Sequence, residues 1–111
     1  MKIGKRKKDG VLILDLEGKI LIGEGIDDLR NSINNALKEK ETKLILNFKK
    51  VPYLDSTGLG EVVRSYTSVK KEGGSVKITN LTHKVKDLLS VTKLITVFET
   101  FDDEDRAIAS F

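Results

Sequence analysis

The sequence predicts an α/β fold in which one domain is built on a mixed β-sheet that begins with a hairpin. Runs with strand-like alternation of apolar residues are followed by runs at helical spacing, and this order favours parallel strand pairs joined by helical crossovers. An Asp9-Gly10 pair separates two strand-like runs at the start of the chain, as is typical of a two-residue hairpin turn. The 111 residues suffice for one domain with a buried core. We therefore expect a single domain over residues 1–111.

The first half of the chain predicts three strands and one helix. The hairpin strands are Lys2–Lys8 and Val11–Glu17, and the second is apolar on both faces before one face turns polar near its end. Apolar residues then recur at helical spacing over residues 26–40, which indicates the first helix. An almost unbroken apolar run over residues 44–48 has the length of a strand that is covered on both faces.

The second half continues the alternation of helix and strand. An apolar stripe over residues 59–69, closed by a double glycine, predicts the second helix. A shorter strand nearer the sheet's edge is expected over residues 75–79. Thr82 can cap a short third helix. Residues 94–98 predict a last strand, and residues 102–111 predict a fourth helix whose acidic start matches the helix dipole.

Composition excludes several classes of protein and site. The chain has no cysteine, so disulfides, thiolate metal sites and a cysteine nucleophile are ruled out. No apolar run approaches the roughly 18 residues of a membrane span, and the basic N-terminus lacks a cleavage signal, so we expect a cytoplasmic protein without membrane association. The net charge of +3 comes largely from residues 2–8. Lysines on an edge strand that discourage sheet-to-sheet pairing explain this charge better than nucleic-acid binding, and we expect no direct nucleic-acid contact.

The segment LDSTGLG, residues 54–60, joins a strand to a helix and invites an enzymatic interpretation that its neighbours do not support. A nucleophile elbow requires glycine two positions before the serine, and Leu54 occupies that position relative to Ser56. The only histidine, His83, has lysine neighbours that disfavour its protonated form. A serine hydrolase is therefore disfavoured.

Bound nucleotide and metal are equally poor explanations of this chain. Gly58 and Gly60 could open a dinucleotide fingerprint, but Val63 stands where a third small residue is needed and no acidic residue follows about 20 positions on. The acidic run over residues 102–105 is consecutive and is typical of a solvated helix start. We expect no catalytic residue, no cofactor and no metal site.

Two interpretations of Ser56 remain open from the residues alone. As the N-cap of the second helix, its hydroxyl would stabilise the fold by about 1 kcal/mol. A cap leaves Gly58 and Gly60 unexplained, because glycine inside a helix costs up to roughly 1 kcal/mol relative to alanine. A first turn without side chains lets another surface approach and lets backbone N–H groups tolerate an anion. A phosphate on Ser56 would add about −1.5 to −2 charges beside Asp55, as a binding switch requires.

The stretch LILNFKKVPYLDSTGLGEVVRSYTSVKKEGGSVKIT resembles the core of the STAS domain, the anti-sigma factor antagonist family, and the likeness runs from Val11 to Phe111. It implies a mixed sheet with about four helices packed mainly on one face. It also implies that Ser56 is phosphorylated by a partner that is both anti-sigma factor and serine kinase. Only the unphosphorylated protein would bind this partner, and a serine phosphatase would restore binding.

The resemblance also implies a recognition surface, with Ser56 rather than Thr57 as phosphoacceptor. This surface comprises Asp55, Ser56, Thr57, Gly58, Leu59 and Gly60. The protein would then be a non-enzymatic regulator of transcription by partner switching, present as a monomer or weak dimer. Many members carry a Gly-Glu-Leu-Asp turn after the second strand, whereas this chain reads Gly-Lys-Ile-Leu at residues 18–21. The alternative is a STAS adaptor or scaffold module in another signalling assembly, without sigma factor control.

Overall fold

A five-stranded mixed sheet forms the centre of the computed structural model, which describes residues 1–111. The strands are β1 (Lys2–Lys8), β2 (Val11–Glu17), β3 (Lys43–Lys50), β4 (Ser75–Thr79) and β5 (Glu99–Phe101). They lie side by side in chain order. β1 is antiparallel to β2, and all other neighbours are parallel. The predicted hairpin and mixed sheet are confirmed.

The hairpin turn has the geometry that its sequence predicts. Asp9 and Gly10 have φ values of 53° and 79°, the left-handed conformation that a type I′ turn requires at both central positions. β1 is an edge strand, and several of its basic side chains pair with acidic residues: Nζ of Lys5 is 3.1 Å from Glu39, and Nζ of Lys7 is 2.7 Å from Glu41. These basic residues therefore belong to the edge of the fold, as the sequence suggested.

Three of the four α-helices cover one face of the sheet. The helices are α1 (Ile26–Lys38), α2 (Ser56–Lys71), α3 (His83–Val91) and α4 (Glu104–Ala109). The first three bury their apolar stripes in one cluster of 20 residues, together with Leu12, Leu14 and Leu16 of β2. No helix is both long and apolar enough to cross a membrane.

The fourth helix covers the opposite face. Ala107 of α4 packs against Val11 and Ile13 of β2 and Ile45 of β3 in a smaller apolar cluster. This explains why the first residues of β2 are apolar on both faces. Helices therefore pack mainly, but not entirely, on one face, as expected.

The end of the chain differs from the prediction. Residues 94–98 do not form a strand: Leu94–Thr96 is a 3₁₀-helix, and the last strand begins at Glu99. Lys93, with φ at 64°, reverses the chain before this run, and the ring of Phe98 packs edge-on against Tyr66 with centroids 5.4 Å apart. A short apolar run does not distinguish strand from helix by itself, and here its side chains pack against the edge of the core.

Two helix starts also differ from the prediction. The last helix is Glu104–Ala109 rather than 102–111, because the side chain of Asp103 caps it by accepting a hydrogen bond from Asp105 N–H at 3.0 Å. Thr82 precedes α3 but does not cap it with its side chain, since its hydroxyl donates instead to the carbonyl of Val51 at 3.0 Å.

Candidate functional site

The segment 54–60 lies where the chain leaves β3 and enters α2. Parallel strands end together at this edge of the sheet, so the loop after β2 lies beside the loop after β3. Ile20 and Leu54 form an isolated parallel bridge between the two loops, and both side chains are buried. Asp55 N–H donates to the carbonyl of Ile20 at 3.3 Å. The start of α2 is therefore built on the loop that follows β2.

Asp55, not Ser56, caps α2, so the prediction of a Ser56 cap is wrong. Oδ1 of Asp55 accepts a hydrogen bond from Gly58 N–H at 2.8 Å, and Oδ2 accepts one from Ile22 N–H at 2.9 Å. Aspartate and serine are equally good N-caps, so neighbouring candidates compete. Asp55 is the residue whose carboxylate can serve both the helix and the loop. Ser56 becomes the first residue of the helix.

The two backbone donors also hold the Asp55 side chain in its ionised form. Hydrogen bonds from Ile22 N–H and then from Gly58 N–H lower the pKa of Asp55 below its ordinary value. Its negative charge therefore stands next to Ser56 at any pH near neutrality.

Ser56 presents a free hydroxyl. The residue is exposed, and its side chain makes no hydrogen bond within the chain. No acidic residue lies in the first turn of α2, where the helix dipole favours negative charge. Thr57 and Gly60 are also exposed, whereas Gly58 and Leu59 are buried.

The two glycines of the segment have different environments. A Cβ atom at Gly58 would overlap the backbone carbonyl of Ile20, so this position is glycine because the two loops touch. A Cβ atom at Gly60 would meet nothing within 4 Å. Of the two, Gly60 is the one that leaves open space beside Ser56 on the helix surface.

A depression of about 460 Å³ opens beside the start of α2 and was not identified from the sequence. Thr57 forms one side, and the loop after β2 with the start of α1 forms the other; its lining residues are Ile22, Gly23, Glu24, Gly25, Ile26, Asp27, Asp28 and Thr57. Two glycines on either side of Glu24 were the only sequence signal of this loop. The backbone bridge between Ile20 and Leu54, which only the fold reveals, places this loop beside Ser56.

A buried carboxylate joins α1 to α2 and was also missed. Glu61 is only 2% exposed in its side chain, and Nη2 of Arg30 lies 2.7 Å from its Oε1. Nη1 of Arg64 is 3.6 Å from Oε2, which has no hydrogen-bond partner. The hydrogen bond to Glu61 raises the pKa of Arg30. No sequence pattern pairs residues on different helices, so only the fold shows this contact.

Comparison with known proteins decides the family. The sequence profile of the STAS domain matches residues 2–107, nearly the whole chain. The chain belongs to the STAS domain family. The resemblance drawn from the segment around Ser56 is confirmed.

Relatives of this STAS domain include two named antagonists. The chain is 27% identical over 100 residues to the anti-sigma F factor antagonist of Paenibacillus polymyxa, covering 89% of this chain and 85% of that protein. It is 40% identical over 63 residues to the anti-sigma-B factor antagonist of Bacillus subtilis strain 168, covering 57% of this chain and 58% of the relative.

Solved structures share the STAS fold. A crystal structure of a candidate anti-sigma factor antagonist from Thermotoga maritima superposes with a TM-score of 0.89 at 23% identity, over 97% of this chain and 92% of that one. The anti-sigma factor antagonist SpoIIAA in its unphosphorylated form gives a TM-score of 0.71 at 16% identity, over 98% and 96% of the two chains. SpoIIAA of Bacillus has also been solved in its phosphorylated form, with a TM-score of 0.72.

Proposed function

We propose that this STAS domain is an anti-sigma factor antagonist switched by phosphorylation of Ser56. In the unphosphorylated form it binds an anti-sigma factor that is also a serine kinase, and phosphorylation releases it. The observation that carries the proposal is the exposed, unbonded hydroxyl of Ser56 at the first residue of α2, beside an ordered Asp55 carboxylate. Named antagonists among the relatives and the two solved forms of SpoIIAA support it.

A phosphate on Ser56 would change the surface and leave the fold intact. The side chain points away from the core, so no packing has to move. The helix dipole and the N–H groups of the first turn offset part of the added charge of about −1.5 to −2. The phosphate would also add its charge next to the Asp55 carboxylate. A bound partner would then have to accommodate this negative charge or dissociate. Phosphorylation would therefore act on binding rather than on stability.

Thr57 is the poorer acceptor. It lines the depression that also contains the carboxylates of Glu24, Asp27 and Asp28. A phosphate on Thr57 would face these three acidic residues, whereas the acidic neighbour of Ser56 is Asp55, whose carboxylate already accepts two backbone hydrogen bonds. The modification is therefore expected at Ser56 alone.

In this function the domain is a cytoplasmic binding module and not an enzyme. Its partners are the anti-sigma factor kinase and a serine phosphatase that restores the free hydroxyl, and the domain acts as a monomer or weak dimer. The partner-binding surface comprises Asp55, Ser56, Thr57, Gly58, Leu59 and Gly60. Gly58 and Leu59 are buried and would support this surface from below, and Asp55 would hold it in place by capping α2.

Phosphorylation is tested directly with purified anti-sigma factor kinases of the source organism and ATP. Intact-mass measurement should show one added phosphate on the wild type and on Thr57→Ala, and none on Ser56→Ala. A phosphate that persists on Ser56→Ala would refute the assignment of the site. Amide spectra of the three proteins establish that each is folded.

Binding is tested separately with the kinase that modifies Ser56. Ser56→Asp should lose capture by this kinase, while Ser56→Ala should retain it. Equal capture of wild type and Ser56→Asp would favour the alternative of an adaptor or scaffold module in which Ser56 is not a switch.

A further inference from the structure

Ile22 is a large apolar side chain exposed beside the phosphorylatable serine. It is 75% exposed, and only Tyr53, Val91 and Val97 are other large apolar residues with notable exposure. Single exposed apolar residues are common on protein surfaces and need no explanation by themselves. Ile22 differs from an ordinary exposed residue because the fold fixes its backbone.

The turn that carries Ile22 is held at three points. Ile22 N–H donates to Oδ2 of Asp55 at 2.9 Å. Leu21 and Glu24 exchange two backbone hydrogen bonds of 2.7 and 2.9 Å, and Gly23 adopts the positive φ of 76° that closes the turn. An isoleucine on a fixed turn loses little conformational freedom on binding, as an interface anchor requires.

The position of Ile22 makes it continuous with the surface around Ser56. The Asp55 carboxylate that caps α2 also positions Ile22, and the depression at this point is lined by Ile22 from one side and Thr57 from the other. A partner that covers Ser56 therefore covers Ile22 as well. An apolar contact next to Ser56 also explains why a phosphate would end binding, since the dianion would have to lose its water against an apolar surface.

We infer that Ile22 is the apolar anchor through which the anti-sigma factor kinase docks, and that this partner carries a matching apolar recess. The inference rests on the proposed function and adds a residue outside the segment 54–60. It makes Ile22 a determinant of affinity, with Ser56 as the switch.

The test uses the purified kinase that phosphorylates Ser56, with the unphosphorylated full chain. Ile22→Ser should weaken binding about tenfold in calorimetry, because an isoleucine side chain is no longer buried. Ile22→Leu should bind within about threefold of the wild type, since it keeps the apolar volume. The initial rate of Ser56 phosphorylation below saturation should fall in parallel with affinity.

Val91→Ser is the matched control. Val91 is 81% exposed and is the last residue of α3, outside the depression that Ile22 and Thr57 line. This variant should bind as the wild type does. If Ile22→Ser binds as tightly as the wild type while Ser56→Asp loses binding, the anchor is refuted and the proposed function stands. If no kinase binds or modifies the wild type, both are refuted.

Discussion

The backbone of Gly58 packs directly on the carbonyl of Ile20, leaving no room for a side chain at position 58. Gly58 N–H is also the donor that meets the Asp55 cap at 2.8 Å. The first turn of α2 and the loop after β2 are thus in backbone contact at the point where Ser56 is displayed.

Gly58→Ala is expected to destabilise the domain by about 2 kcal/mol, because the added methyl group forces the two loops apart. Gly60→Ala has open space and gains helix propensity, so it should stabilise the domain by up to about 1 kcal/mol. Urea unfolding of the two variants measures this difference. Equal stability of the two would show that the contact with Ile20 is not tight in solution.

The Asp55 carboxylate is expected to hold the Ile22 turn against α2 through its two hydrogen bonds. Asp55→Asn can still cap the helix through its one oxygen, but its amide nitrogen is a donor, so the hydrogen bond from Ile22 N–H should be lost while α2 persists. Amide hydrogen exchange should then be faster at Ile22 than in the wild type, with Gly58 less affected.

Asp55→Ala is the comparison for this measurement. It removes both hydrogen bonds, so exchange should increase at Ile22 and at Gly58, and stability should be lower than that of Asp55→Asn. Unchanged exchange at Ile22 in both variants would mean that the turn holds itself without Asp55.

The sequence predicted the parts of the fold that depend on local pattern. The Asp9-Gly10 turn, the buried β3 and the apolar stripe of α2 each follow from periodicity or turn chemistry, and all three are present. The strand predicted over residues 94–98 is absent, because a short run with four apolar residues fits a strand and a packed 3₁₀-helix equally well.

The site was predictable only as a segment. LDSTGLG indicated a candidate site. A choice between Asp55 and Ser56 as the cap requires knowing what the second carboxylate oxygen contacts, and that partner, Ile22, is 33 positions away. The salt bridge from Arg30 to Glu61 is a contact of the same kind, with 31 positions between the partners. Long-range contacts of polar groups leave no periodic signal, so the fold had to show them.

Stability is expected to fall in acid through Asp15. Hydrogen bonds from Arg6 and then from Asn47 lower the pKa of Asp15 below its ordinary value of 3.8, so the unfolded chain takes up this proton at a higher pH than the folded one. The stabilisation of the folded state by ionised Asp15 is fully present above about pH 5 and is lost as the pH falls through the lowered folded-state pKa.

Urea unfolding between pH 6 and about pH 2.5 measures this dependence. Asp15→Asn should flatten part of the acid limb of the stability curve. Asp9→Asn is the control, because Asp9 stands in the exposed hairpin turn, makes no ion pair, and has a positive φ that asparagine tolerates. An acid limb in Asp15→Asn as steep as that of the control would assign the loss to other carboxylates.

Arg30 is expected to matter more for stability than an exposed arginine would, because its partner Glu61 is buried. Removing Arg30 alone leaves a carboxylate without solvent, with only Arg64 at 3.6 Å from its other oxygen. Arg30→Met should therefore destabilise the domain clearly more than the loss of an exposed lysine from the surface would. Replacing both partners, in Arg30→Met with Glu61→Leu, should recover most of this loss, since no charge then remains buried.

The exposed pair of Lys5 and Glu39 provides the control for this double-mutant cycle. Lys5→Met should change stability by no more than about 0.5 kcal/mol, because the charged groups of Lys5 and Glu39 are both exposed to water. A cost of Arg30→Met as small as that of Lys5→Met would show that Glu61 does not depend on Arg30. The predicted difference would mean that this ion pair fixes α1 to α2, one turn below the exposed Thr57.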